Sequence, residues 1–519
     1  MRQGKLFSGV MWLAIAVAAW CVCAPGALAG DMEAAREQAA HRQRRVLFNN
    51  DSGDATVHCP ERSIEAFLGC RTTGLVGTHC DAIFYCTSRG SFGSFSHDTD
   101  IGETFVSTEG RYAPNITQWL MDQGTDPLEV MVDFGHEHGL EMFWSMRMND
   151  THDSWGYDWE ELITSQLKKD HPEWLTGSKK NKPKVGGFKA ADYTHPEIRD
   201  FAFRYIEEIC QEYDVEGVEL DFFRHPVFFK RHAWGEDCTR QERDRMTDMV
   251  RRVRAMADRE GKKRGRPILV SVRVPDSVQW CNAIGLDIER WLEEGLVDMM
   301  SVTGYFRLNP WKASVELGHK HGVPVYACLS ETRIRDKAAK QVRSGIEAYR
   351  ARALTAWHAG ADGIYLFNAF NPGHPLWREL GDPELLRQKD KVYTTGARGT
   401  RVVKRWLVGG ERFLNRDPVS PERPHPLKAN TPETVELIVP ERIDEPGQAT
   451  LGIRLEGGEE PQALAVRLNG TALTLQDAGT WWKYETPAEA LKEGANEVTV
   501  ELLEGDSATW ADLALWVKK

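Results

Sequence analysis

Glu216-Gly217-Val218-Glu219-Leu220-Asp221-Phe222-Phe223-Arg224-His225-Pro226 decides how this chain is read. Side chains alternate along a strand, so Glu219 and Asp221 share one face, with Asp221 nearer the exit. Two carboxylates on one face of an otherwise apolar strand raise each other's pKa unless cations or donors answer them. Arg224 and His225 follow directly and are the expected counter-groups. The interior of a parallel barrel is ordinarily filled by branched apolar side chains, so acids at that position point to chemistry.

Working outward, seven more β-rich runs flank this one: Arg45–Asn50, Ala82–Thr87, Glu141–Met148, Ile268–Val274, Asp298–Gly304, Val323–Leu329 and Gly363–Asn368. Helical stretches separate them. One is capped by Asp126, with Pro127 at its first position, and stops at Gly139. Another follows Pro196, with Ile198, Ala202, Tyr205, Ile206 and Ile209 at helical spacing, and a third runs from Ala338 to His358. Eight alternating βα units predict a (β/α)8 barrel over residues 45–390, after a lead-in at 30–44. Asn49-Asn50-Asp51-Ser52-Gly53-Asp54 stands where a nucleotide-binding fold would carry its glycine-rich phosphate loop, which argues against that fold.

Beyond the barrel the pattern changes. Residues 391–430 read as a connector ending in a proline-rich linker, and 431–519 as a small β-sandwich of short alternating runs. Asn469-Gly470 marks a tight turn between two of those runs.

The chain has 519 residues, 41% hydrophobic, and a net charge of −12 without a basic block, which excludes a nucleic-acid partner. Arg2 and Lys5, the apolar run Val10–Cys23 and Ala27-Leu28-Ala29 predict an export signal cut after Ala29. The expected mature protein is periplasmic or extracellular and free of the membrane. Eight cysteines remain, expected as buried thiols with one or two bridges at most. Oligomeric state stays open.

The other strand ends are expected to contribute to one mouth. Strand three closes in Arg147-Met148-Asn149-Asp150-Thr151-His152-Asp153, a turn suited to sugar hydroxyls or, through Asp150, His152 and Asp153, to a cation. Strand seven brings Glu331 and Arg333 to the rim; strands five, six and eight offer Arg273 with Asp276, Tyr305 with Arg307, and Asn368. Trp144, Trp155, Trp159, Trp280 and Trp311 fall near expected mouths, where an indole either fills core or stacks on a sugar. No Gly-x-Ser-x-Gly elbow, HExxH or P-loop occurs, which leaves serine hydrolases, zinc proteases and NTPases without support.

Strand four as Gly-hydrophobic-x-hydrophobic-Asp (Gly217 to Asp221), the Arg147-Met148-Asn149-Asp150 turn with His152, and the closing Ala361-Asp362-Gly363-Ile364-Tyr365-Leu366-Phe367-Asn368 resemble secreted bacterial barrels of the glycosyl-hydrolase-like ten group. In those relatives strand four often reads Gly-Ile-His-x-Asp-Asp-Tyr; here Glu219 takes the His position and Phe222 the second Asp. The resemblance implies hydrolysis of a glycosidic bond in a polysaccharide or oligosaccharide outside the cytoplasm; separately, no cofactor and no metal are expected.

On that basis Asp221 is expected as nucleophile or base and Glu331 as acid, with Glu219 next in line. Arg147, Asp150, His152, Arg224 and His225 are expected to bind substrate hydroxyls, together with Asp276, Tyr305 and Asn368. A non-catalytic glycan-binding barrel is the competing reading. A metal-dependent deacetylase or lyase using Asp150, His152 and Asp153 is a third.

Overall fold

The computed structural model describes residues 29–330, 334–396, 401–444, 448–456, 463–505 and 507–519. The expected export signal, to residue 28, and Glu331 lie outside the described residues.

Eight parallel strands close into a barrel: β1 (Val46–Asn50), β2 (Cys80–Tyr85), β3 (Glu141–Arg147), β4 (Gly217–Asp221), β5 (Leu269–Val274), β6 (Met299–Val302), β7 (Val325–Leu329) and β8 (Gly363–Phe367). Each pairs with its sequence neighbours, and β1 pairs with β8 to seal the ring. Register places Ser145, Glu219 and Ser271 at one level of β3, β4 and β5, and Arg147, Asp221 and Arg273 at the next. Glu219 reaches Tyr365 on β8 at 3.0 Å, and Phe84 on β2 meets the Tyr365 ring at 5.5 Å. None of these strands is adjacent to its partner, so the contacts cross the barrel and fix which face points inward.

The helices follow the local chemistry expected of them. α1 (Ala29–Ala40) precedes β1. α2 (Pro127–His138) starts where the Asp126 carboxylate accepts the N–H groups of Leu128 and Glu129, and stops at Gly139 at φ 71°. α3 (Pro196–Glu212) buries the stripe Ile198, Ala202, Tyr205, Ile206 and Ile209. The stretch read as a single helix from Ala338 is two, α4 (Lys337–Arg343) and α5 (Ile346–His358), broken at Ser344-Gly345. At the break the backbone of Gly345 is extended, at φ −74° and ψ 162°, and Arg343, at the end of α4, is buried against Asp512 of the C-terminal sandwich, a contact that helical periodicity does not encode.

That sandwich uses more of the chain than 431–519. β9 (Lys391–Thr394) and β10 (His425–Lys428), both inside the stretch read as connector, pair with the last strand, β18 (Ser507–Val517). Pro426 is tolerated because β10 pairs on one side only. The rest of that sheet is β12 (Ala449–Glu456), β15 (Leu475–Ala478) and β16 (Trp482–Glu485). The facing sheet holds β11 (Glu433–Val439), β13 (Leu464–Leu468), β14 (Thr471–Ala472) and β17 (Gly494–Leu502). Asn469 and Gly470, at φ 50° and 86°, make the tight turn between β13 and β14. Between β9 and β10 the chain returns to the barrel, where Val403, Trp406 and Leu407 join its core.

All eight described cysteines are free thiols, seven of them buried. Among the described residues no helix is long and apolar enough to cross a membrane.

Candidate active site at the barrel mouth

Asp221 ends β4 pointing inward, and its carboxylate is fully engaged. Oδ1 accepts from Arg273 Nε at 2.9 Å and from the backbone N–H groups of Phe223 and Arg224 at 3.0 and 2.9 Å. Oδ2 accepts from the other arm of Arg273 at 2.6 Å. The expectation that Arg224 and His225 answer Asp221 is therefore corrected. Residues following a strand turn away into the loop, whereas the inward arginine at the same level of the neighbouring strand meets the carboxylate fork to fork. Arg273 also lies over the Phe367 ring at 4.3 Å.

Glu219, one level deeper, has no arginine of its own. Ser145 Oγ and Tyr365 OH donate to its Oε2 at 2.5 and 3.0 Å, while Oε1 has no partner among the described residues. Burial, followed by the Asp221 charge, pushes its carboxyl up to about 7, against the pull of Arg273.

A second cluster forms where β3 leaves the barrel. Arg147 donates to Asp150 Oδ2 at 2.7 Å, His152 Nδ1 lies 2.6 Å from Asp150 Oδ1, and Arg224 donates to His152 Nε2 at 2.8 Å. A guanidinium offers only hydrogens, so His152 Nε2 must accept; its proton sits on Nδ1 and is donated to Asp150. His225 Nδ1 accepts the Thr151 N–H at 3.0 Å, which puts its own proton on Nε2. Burial lowers both imidazoles, His152 to about 4, so both are neutral near pH 7. Burial alone would raise Asp150; His152 and Arg147 instead hold its carboxyl well below the usual range. With His152 neutral, its share is the hydrogen bond and Arg147 supplies the charge.

Ligand atoms of Asp150, His152 and His225 lie within 4.8 Å of one another, close enough for a cation. Their lone pairs are committed elsewhere, and the guanidiniums of Arg147 and Arg224 border the cluster, so a divalent ion would have to displace both a proton and an arginine. Asp153 is not part of it. That carboxylate faces buried Lys168 at 3.1 Å and Ser91 at 2.8 Å, and the third reading loses one of its three ligands.

The remaining expected residues divide. Tyr305 stacks on Phe223 at 5.7 Å beneath the Arg224 guanidinium, and Asn368 follows β8 at φ 61°. Asp276, expected at substrate, instead accepts the backbone N–H groups of Leu308 and Asn309 at 2.9 Å and holds the loop after β6. Its strand exit was read correctly, but backbone donors in the next loop have no signature in sequence. Trp144 and Trp280 are core. Asp51 was missed. It follows β1, pairs with Arg71 at 2.6 Å and lies 4.0 Å from Arg147; its side chain is 29% exposed, against 2% for Asp221. The polar run Asn49–Asp54 was its signal, read only for the phosphate loop it lacks.

The family described as glycosyl hydrolase-like 10 matches residues 109–316, the span from ahead of α2 to beyond β6 that carries Arg147, Asp150, His152, Glu219, Asp221 and Arg273. The glycosyl hydrolase YngK of Bacillus subtilis (strain 168) is 29% identical over 113 residues, which is 20% of this chain and 19% of that protein. The chain therefore matches about a fifth of that relative's length. Among solved structures, the PgaB (BpsB) glycoside hydrolase domain of Bordetella bronchiseptica aligns with 66% of this chain and 98% of its own, at 11% identity and a TM-score of 0.42. The GH36 alpha-galactosidase AgaA of Geobacillus stearothermophilus aligns with 92% of this chain and 56% of its own, at 11% identity and a TM-score of 0.36.

Proposed function

From a barrel whose central span matches the family described as glycosyl hydrolase-like 10, we propose that the protein is an exported glycoside hydrolase acting on a polysaccharide or oligosaccharide at the C-terminal mouth of the barrel. The observation that carries this is the unlike pair on β4: one inward carboxylate ion-paired to Arg273 and, two residues away, a carboxyl whose burial holds its proton to near neutrality. Neighbouring acids with environments of opposite kind are how one site keeps both an ionised and a protonated carboxyl at one pH.

Asp221 is the proposed nucleophile or base. The acid is drawn from Glu331 or Glu219. On β7, the strand that precedes Glu331, Cys328 is in register with Tyr365 of β8, which donates to Glu219. Arg224, held by His152, and Tyr305 lie at the same mouth and are proposed to bind sugar hydroxyls.

The test is Asp221→Asn in the purified chain, screened against a panel of polysaccharides with product anomers followed by NMR. Turnover should fall by about 10³-fold or more while glycan binding persists. Wild-type chain that binds glycans and cleaves none of them, or a variant that keeps its turnover, overturns hydrolysis at this pair. A specific observation favours the second reading, a glycan-binding barrel without catalysis: Asp221 is only 1% exposed and its oxygens are already occupied.

A further inference from the structure

A cavity opens where β6 and β7 leave the barrel, against the chain that runs on from β9. Tyr305, Trp311 and Ser330 line it together with Arg307, Arg352 and Arg416; among its described lining residues there is no Asp or Glu. Two of the three arginines, Arg307 and Arg416, are poorly answered by the described residues. Arg307 makes no ion pair or hydrogen bond among the described residues; its guanidinium lies over the Trp311 ring at 4.9 Å. Asp276 is the acid that acts on it, but the carboxylate oxygens of Asp276 are taken up by the backbone of Leu308 and Asn309. Arg416 donates to the Thr395 carbonyl and makes no ion pair among the described residues. Burial and the Arg307 charge both push it down. An anion placed between Arg307 and Arg416 would relieve their repulsion and gain charge-assisted hydrogen bonds.

The cavity also lies beside the proposed catalytic pair. Tyr305, on its wall, stacks on Phe223 two residues after Asp221, and Cys328, on the same wall, is in register with Tyr365, which donates to Glu219. We propose that this cavity is a subsite for a negatively charged substituent on a sugar ring, a uronate carboxylate or a sulfate ester, so that the glycan is an acidic one. The proposal rests on the carbohydrate reading of the mouth but not on turnover.

The test is calorimetric binding to Asp221→Asn and wild-type chains at low salt, using two matched pairs of probes: trigalacturonate against its methyl ester, and a sulfated chondroitin tetrasaccharide against its desulfated form. The charged member of at least one pair should bind on the order of ten-fold tighter, and which pair responds separates carboxylate from sulfate ester. That preference should vanish in Arg307→Gln/Arg416→Gln and return in part in Arg307→Lys/Arg416→Lys, which keeps the charge without the planar fork. Equal affinity for charged and neutral members of both pairs, no binding of either charged probe, or an undiminished preference in the Gln variant overturns the subsite. A charge preference in a chain without turnover upholds the subsite and defeats only the hydrolytic reading.

Discussion

The two acidic centres of the mouth, the β4 pair and the cluster on the turn after β3, answer their charges differently. At the β3 turn the carboxylate of Asp150 has Arg147 from its own strand, and its histidine is neutral with both nitrogens committed. On β4 one arginine serves two acids: Arg273 meets Asp221 directly and leaves Glu219 to hydroxyls. The first arrangement is electrically closed. The second holds a proton in reserve, because lowering Glu219 would place a second negative charge beside Asp221 in a buried barrel. The contrast teaches that the number of buried acids matters less than the number of guanidiniums supplied to them.

Removing the shared cation should break the contrast most severely. Arg273→Met leaves Asp221 buried without its partner, and denaturant unfolding should show a loss of about 3–5 kcal/mol. Arg224→Met, which takes a hydrogen bond from a neutral imidazole and leaves no buried charge behind there, should cost about 1 kcal/mol by the same measurement. Equal losses would mean that the two centres are equally closed.

Next in size is a pH effect. The folded carboxyl of Glu219 is raised, so between about pH 4.5 and 7 the native state holds a proton that the unfolded chain has released. The stability this contributes is complete at acid pH and is lost as pH rises through about 7, on the order of 3 kcal/mol across the window. Glu219→Gln keeps an acceptor for Ser145 and Tyr365 and removes the titration. Relative to wild type the variant should therefore gain stability as pH rises from 4.5 to 7, and parallel stability–pH curves would show that Glu219 is ionised throughout.

How much of this was legible follows the same division. The eight barrel strands were readable because each is a short apolar run bounded by turn or cap residues, and the inward placement of Glu219 and Asp221 follows from alternation alone. Their partners were not readable. Arg273 lies 52 positions from Asp221, and only the register between β4 and β5 brings the two to one level. Asp153 looked like part of the β3 turn, but Lys168, from a short helix in the following loop, draws it away. The sandwich strands Lys391–Thr394 and His425–Lys428 escaped because four residues carry too little periodicity, and because Pro426 reads as a breaker until its edge position is known.

The smallest expected effect bears on the closed centre. If the proton of His152 lies on Nδ1 and its lone pair faces Arg224, a cation has no vacant ligand there, and Zn²⁺ or EDTA should move the melting temperature by less than about 1 °C. Removing the ring should still matter below neutrality. His152 is lowered to about 4, so between about pH 6.5 and 4 the unfolded chain takes up a proton that the native state refuses, and wild type loses stability as pH falls through that range. In His152→Gln that share of the acid loss should disappear while the response to chelator stays nil. A zinc-dependent rise in melting temperature that His152→Gln abolishes would reverse the assignment, because the imidazole would then be giving its lone pair to a metal and not to Arg224.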